Sequence, residues 1–311
     1  MTVLLASAVG PTKPWVDVLR PALAAVGEML RTDPEADNLD DVDVALFAHK
    51  APGLFPRLRN LRLIVALQAG VDSLLTDPEL PAGIPVVRAG RPDGDRMIAE
   101  YALLHVLRHH RNMPAFLAQQ RAGVWDKKEV LLASERRVGF MGLGVIGLPC
   151  AGLVRDVGFR TAAWTRTPKS APGIENFHGA EGLRPFLARS EIVVNLLPLT
   201  ADTENILNAK IFAMLPEGAC VINIGRGQHV VDADLIAALD SGHLGGATLD
   251  VFRKEPLPAD DPFWKHPGIT LMPHTARKSR PDHVAPQVAD QVRRLRAGEP
   301  LTQPVDRGAG Y

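Results

Sequence analysis

An apolar run that turns on three spaced glycines and then becomes helical constrains this chain more than any other feature. Val138–Gly147 reads VGFMGLGVIG, which sets Gly142-x-Gly144-x-x-Gly147 between a strand pattern and a helical one. Gly142 permits a tight turn, Gly144 lets the backbone approach a pyrophosphate, and Gly147 lets the new helix pack closely on the strand. The N–H groups around Val145 and Ile146, at the start of that helix, are donors for phosphate. The segment reads as the opening of a dinucleotide-binding βαβ unit.

Short β-branched or Leu-rich runs alternate with longer helical patterns on both sides of this loop. Thr2–Ser7, Val42–Ala48, Leu61–Leu67 and Ile84–Val87 are strand candidates before it. Arg137–Met141, Arg160–Trp164, Glu191–Leu197, Ala219–Ile224, Ala247–Phe252 and Ile269–Met272 form a second series. Such alternation predicts α/β architecture with parallel sheets covered on both faces, the second series making a doubly wound Rossmann sheet. Asp95–Gly123 is predicted as one long helix. The last helix, about Pro281–Arg296, is expected to pack back on the N-terminal unit. The predicted domains are therefore residues 1–94 with 281–311, discontinuous, and residues 95–280.

Composition limits the function classes. The 311 residues carry 35 Lys plus Arg against 35 Asp plus Glu, so there is no basic field for nucleic acid or an anionic membrane. Every apolar run is broken by Gly, Pro or a charge well before the roughly 20 residues of a membrane span. Cys150 and Cys220 have neither a disulfide framework nor zinc spacing, and both read as buried apolar residues. The first residues lack a basic segment ahead of the apolar run, so a cytoplasmic chain is expected.

An NAD-selective site places an acidic residue about 20 residues beyond the loop, at the second strand's end. Here that strand ends Trp164-Thr165-Arg166-Thr167, followed by Lys169, with no carboxylate. A guanidinium, two hydroxyls and an ammonium suit a 2′-phosphate, so NADPH is expected to be preferred, with NADH possible.

Three further segments follow strand ends, the edge where doubly wound sheets bind ligands. They are Asn223-Ile224-Gly225-Arg226-Gly227, Leu249-Asp250-Val251-Phe252 leading to Glu255-Pro256, and Pro273-His274-Thr275. Taken singly, each of these residues has a duller structural role; their joint order favours a catalytic one. Hydride addition to a 2-oxo acid builds charge on the carbonyl oxygen and needs a proton donor and an anion clamp. His274 titrates near neutrality and can protonate that oxygen. Glu255 would favour the imidazolium, and Arg226 presents a planar fork to carboxylate and carbonyl oxygens.

The order of GxGxxG, Arg-Gly, Glu-Pro and Pro-His resembles the D-isomer-specific 2-hydroxyacid dehydrogenases over nearly the whole chain. Within them it resembles the bacterial glyoxylate/hydroxypyruvate reductases of the A type. Gln68-Ala69-Gly70-Val71-Asp72-Ser73, Glu100-Tyr101-Ala102, Asn195-Leu196-Leu197-Pro198 and Glu255-Pro256-Leu257-Pro258 carry that likeness. The resemblance implies a Rossmann nucleotide-binding domain with a smaller flavodoxin-like lid (substrate) domain, and a homodimer. It implies NADPH-dependent reduction of glyoxylate and hydroxypyruvate, with Leu197, Pro198 and Asp250 beside the cofactor. It also implies that Leu67, Gln68, Ala69 and Gly70 receive the substrate carboxylate, with Arg226 and His274 as further substrate-binding residues. Hinges are expected near Gly90–Met97 and Thr275–Pro281.

One departure is Thr275-Ala276-Arg277-Lys278, where the family usually has small residues; two cations there would lower the pKa of His274 if they faced it. No metal site is expected. Two other readings stay open: a dehydrogenase for a bulkier D-2-hydroxy acid, and a non-catalytic dinucleotide-sensing interaction protein, since fold alone does not decide function.

Overall fold

The computed structural model describes residues 2–8, 12–68, 70–89, 92–277 and 279–308; the side chains of 92–95 are not among them. Ala69 of the expected substrate loop, Gly90 of the expected hinge and Lys278 therefore lie outside the described residues.

The chain divides into two compact units, Met1–Gly94 with Lys278–Tyr311, and Asp95–Arg277. The first contains β1 (Thr2–Leu5), α1 (Thr12–Ala24), β2 (Met29–Arg31), β3 (Val42–Phe47), β4 (Leu63–Ala66), α2 (Asp72–Leu75) and β5 (Val86–Arg88). Next come α3 (Pro92–His110) and α4 (Met113–Ala122). The second unit continues with β6 (Arg137–Met141), α5 (Gly147–Asp156), β7 (Arg160–Thr165), β8 (Glu175–His178), α6 (Gly179–Arg189) and β9 (Ile192–Asn195). It closes with α7 (Ala209–Phe212), β10 (Ala219–Asn223), α8 (Asp232–Asp240), β11 (Leu244–Leu249) and β12 (Ile269–Leu271). The last helix, α9 (Pro281–Ala297), returns to the first unit.

The first unit holds a parallel sheet in the order β2-β1-β3-β4-β5, the flavodoxin-like arrangement. β3 and β4 are buried along their whole length, as continuous apolar strands covered on both faces should be. Helix α1 buries Trp15, Leu19 and Leu23, one face at a spacing of four, in the same core as Val284, Val288 and Val292 of α9. Each such side chain contributes about 1.5–3 kcal/mol on burial. This shared core makes a segment from the far end of the chain part of the N-terminal unit.

The second unit holds a seven-stranded parallel sheet in the order β12-β11-β10-β9-β6-β7-β8, with β6 and β9 adjacent. The order reverses there, so the loop after β6 opens at the crevice where such sheets take ligands. The expected α/β class and doubly wound sheet are both present.

Three expectations need correction. β2 and β8 fall outside the expected strands: Met29–Arg31 and Glu175–His178 lack buried β-branched residues and are edge strands set by their neighbours. The single helix over 95–123 is two. Asn112 adopts a left-handed φ of 53°, and Pro114 falls in the first turn of α4, where its missing N–H costs nothing. Cys150 is buried, but Cys220 is only partly so.

Candidate active site

Every predicted catalytic side chain lies in the second unit, in loops that leave the carboxyl ends of its strands. Arg226 follows β10, Glu255 follows β11 and His274 follows β12. His274 Nδ1 lies 2.6 Å from Glu255 Oε2, while Glu255 Oε1 accepts the Phe252 N–H at 2.9 Å. The carboxylate is thus fixed at both oxygens and aims the ring. The His274 side chain keeps 49% of its surface exposed, with Nδ1 the ring nitrogen that faces Glu255.

The backbone is shaped to present the ring. His274 has a φ of 51°, a left-handed conformation that costs about 1–3 kcal/mol in a residue with a side chain. Its N–H donates to Asp250 O at 2.9 Å and Met272 O at 3.0 Å, which hold the turn in place. Asp250 is buried, and its carboxylate accepts the N–H groups of Thr275 at 2.8 Å and Ala276 at 3.0 Å. The Tyr101 hydroxyl donates to the same carboxylate at 2.8 Å. Asp250, expected beside a nicotinamide, is therefore built into the turn that carries His274. Sequence reading missed Tyr101 as its partner; 149 positions separate the two, and no local pattern links them.

Electrostatics favour the charged pair. The Glu255 hydrogen bond raises the His274 pKa above its ordinary value, against the effect of burial, and the charges of Glu255 and Asp250 add to it. Burial opposes ionisation of Glu255, yet the His274 hydrogen bond, the Phe252 N–H and the charges of His274 and Arg226 outweigh it and hold the carboxyl below its usual range. Arg226 is close enough to bear on both groups. Arg226 is a cation whose charge opposes protonation of His274.

The glycine loop fits a pyrophosphate. Gly142 turns with a φ of 100°, and a Cβ on Gly147 would sit 2.2 Å from the Gly142 carbonyl oxygen, so no side chain is tolerated there. A Cβ on Gly144 would meet nothing within 4 Å, leaving its backbone open to a ligand. Val145 is exposed and Ile146 caps the start of α5. After β7, Arg166, Thr167 and Lys169 are exposed. The Lys169 ammonium donates to the Leu143 carbonyl at 2.9 Å and so ties this turn to the glycine loop. Thr165 differs from expectation: its buried hydroxyl donates to Thr167 O at 2.8 Å instead of facing outward. Leu197 and Pro198, after β9, are half-buried. Leu67 is buried and Gln68 and Gly70 are half-buried in the first unit.

These features have close counterparts. The family model for the D-isomer specific 2-hydroxyacid dehydrogenase NAD binding domain matches residues 103–276. The chain is a member of the D-isomer specific 2-hydroxyacid dehydrogenase family. It is 41% identical over 302 residues to glyoxylate/hydroxypyruvate reductase A of Salmonella heidelberg strain SL476, covering 96% of each chain. A crystal structure of a D-isomer specific 2-hydroxyacid dehydrogenase from Xanthobacter autotrophicus Py2, in complex with NADPH and MES, superposes with a TM-score of 0.94 at 41% identity. That match covers 100% of this chain and 99% of the other. The NADPH-dependent glyoxylate/hydroxypyruvate reductase of Sinorhizobium meliloti, in complex with NADP and sulfate, superposes with a TM-score of 0.92 at 34% identity over the whole of both chains. As a family member the chain is an oxidoreductase, and among its described residues no helix is long and apolar enough to cross a membrane.

Proposed function

We propose that this dehydrogenase reduces small 2-oxo acids, glyoxylate and hydroxypyruvate first among them, to 2-hydroxy acids with NADPH. The observation that carries the reading is the 2.6 Å bond between His274 and Glu255 in a setting that favours the imidazolium. When bound, the reduced nicotinamide supplies a hydride to the carbonyl carbon. His274 gives a proton from Nε2 to the carbonyl oxygen, because Nδ1 is occupied by Glu255. Glu255 holds the ring in place and stabilises its charged form. Arg226 grips the substrate carboxylate, and its positive charge opposes the negative charge that grows on the oxygen.

Gly142, Gly144, Val145, Ile146 and Gly147 would hold the pyrophosphate. Arg166, Thr167 and Lys169 would face a 2′-phosphate, with Leu197 and Pro198 along the same strand-end surface. Leu67, Gln68 and Gly70 would offer backbone N–H groups to the substrate carboxylate. The names of the two NADP(H)-bound relatives and the lack of an acid after β7 support the coenzyme preference.

The reading extends to a cytoplasmic homodimer. Leu104, Met113, Val124, Trp125, Val130 and Leu132 expose large apolar surface within one stretch of the second unit, Trp125 to 93%. A second copy of this chain is the partner that would cover it.

An initial-rate panel of glyoxylate, hydroxypyruvate and bulkier 2-oxo acids, run with NADPH and NADH separately, tests the whole reading. Turnover of the two small acids with NADPH is expected. Fastest turnover of a bulkier acid would replace the substrate, and NADPH binding without turnover of any acid would make the chain a dinucleotide sensor.

A further inference from the structure

Beneath Arg226 lies a polar network that the mechanism above does not use. Asn195 ends β9, Asn223 ends β10 and His229 follows the Arg226 turn; all three are fully buried. The Asn195 amide donates to Asn223 Oδ1 at 2.9 Å and reaches His229 Nδ1 at 2.8 Å. The Arg226 backbone N–H donates to that same Nδ1 at 3.1 Å. Two donors converge on one ring nitrogen, so Nδ1 is the acceptor and Nε2 carries the hydrogen, 3.3 Å from the Pro198 carbonyl. On the other side, the Asn223 amide donates to the Arg226 carbonyl at 2.9 Å. Both backbone polar groups of Arg226 are therefore held by buried side chains. The packing leaves no slack: a Cβ on Gly225 would lie 2.9 Å from His229 Nδ1 and 3.0 Å from the Asn195 amide nitrogen.

We propose that His229 is a positioning residue for substrate recognition: its Nδ1 holds the Arg226 backbone at the angle from which the guanidinium meets the 2-oxo acid carboxylate. A rotation of a few tens of degrees at that backbone would swing the long Arg226 side chain away from its target, while the glycine loop after β6 would be untouched. The inference rests on the reading of Arg226 as the carboxylate clamp. It differs from a plain core role for His229, which would affect folding and not the handling of one ligand.

Two substitutions separate the ring nitrogens. In His229→Asn the side-chain oxygen takes the place of Nδ1 and can still accept the Arg226 N–H. In His229→Gln an amide nitrogen reaches the place of Nε2, and the Nδ1 acceptor is lost. Steady-state kinetics with glyoxylate and NADPH titration by fluorescence should give a KM for glyoxylate raised about tenfold in His229→Gln, with the NADPH Kd within about twofold of the parent. His229→Asn should restore KM to within about threefold. Equal KM values in the two variants, or an NADPH Kd that moves as far as KM, would overturn the inference. If the buried substitution prevents folding, Asn223→Ser removes the other grip on Arg226 and must give the same rise in KM without loss of NADPH affinity; no rise refutes it. Arg226→Lys, measured alongside, keeps the two claims apart. An unchanged KM there removes the carboxylate role of Arg226, whereas a raised KM with equal His229 variants removes only the role of His229.

Discussion

The two parallel sheets place their buried charged and amide side chains differently, although the seven-stranded sheet also buries the hydroxyls of Thr161 and Ser190 towards its amino ends. In the five-stranded sheet Thr2 opens β1 and donates to Asp41 at 2.8 Å, and Asp43 stands second in β3, paired with Arg296 of α9. In the seven-stranded sheet Thr165, Asn195 and Asn223 close β7, β9 and β10, and Asp250 follows β11. The architecture is shared, but the use of the buried polar groups is not. In the first sheet they tie a distant segment of chain to the sheet; at the carboxyl ends of the second they hold the backbone of the loops that carry Arg226 and His274. The difference suggests a test in which the amino-end cluster of the first sheet and the carboxyl-end loops of the second are changed separately.

The largest effect is expected at His274. His274→Ala should lower kcat for glyoxylate reduction about a thousandfold while NADPH affinity and thermal midpoint stay near the parent values. Stopped or steady-state assays with a parallel fluorescence titration check this; retained turnover would mean that the proton comes from another group. Next comes the rim after β7. Arg166→Asp should move the ratio of kcat/KM for NADPH over NADH about tenfold or more toward NADH, because a carboxylate there repels a 2′-phosphate and accepts from a ribose hydroxyl. Unchanged selectivity would assign the preference to Lys169 or elsewhere.

How far the sequence foretold this edge depends on the type of residue. Strands that pack both faces announce themselves by runs of Val, Ile and Leu, as β4 (LIVA) and the start of β9 (IVV) do. Edge strands β2 and β8 do not, since partners and not side chains define them. The placement of Arg226, Glu255 and His274 at strand ends was legible because they are polar residues just after apolar runs. The direction of a side chain was not: Thr165 turns inward, and Asp250 serves the His274 turn through contacts with Tyr101, Thr275 and Ala276 that only the folded chain brings together. One signal was present and unread. Asn is disfavoured in strands, yet it ends two successive ones, IVVN and ACVIN, which marks the buried network under Arg226.

A smaller effect is expected in the pH profile. Glu255 raises the His274 pKa, so the imidazolium persists above the ordinary value of 6.5. Reduction needs that protonated ring, and kcat/KM should therefore be flat at lower pH and fall as pH rises through the raised value. Glu255→Gln removes both the charge and the strong acceptor, so the falling limb should move to lower pH. Profiles from about pH 5 to about pH 9 check the sign; a limb that stays in place would mean that Glu255 orients the ring without setting its charge.

The smallest catalytic effect belongs to the opposite edge, and it is the one that could break the comparison. Arg296 donates through Nε to Glu28 at 2.6 Å and through Nη2 to Asp43 at 2.9 Å, and Nη1 also reaches Asp43. Both carboxylates are nearly inaccessible, with 9% and 4% of their side-chain surface exposed. Arg296→Met keeps much of the apolar stem and removes the charge, leaving two acids buried without their cation. Such a loss destabilises by about 3 kcal/mol, which urea unfolding would register as an earlier transition. The kcat per folded molecule should stay within about twofold of the parent, because none of these groups touches the reacting atoms. If kcat instead fell tenfold with the unfolding transition in place, the amino-end cluster would be coupled to catalysis, and the division of labour between the two edges would be wrong.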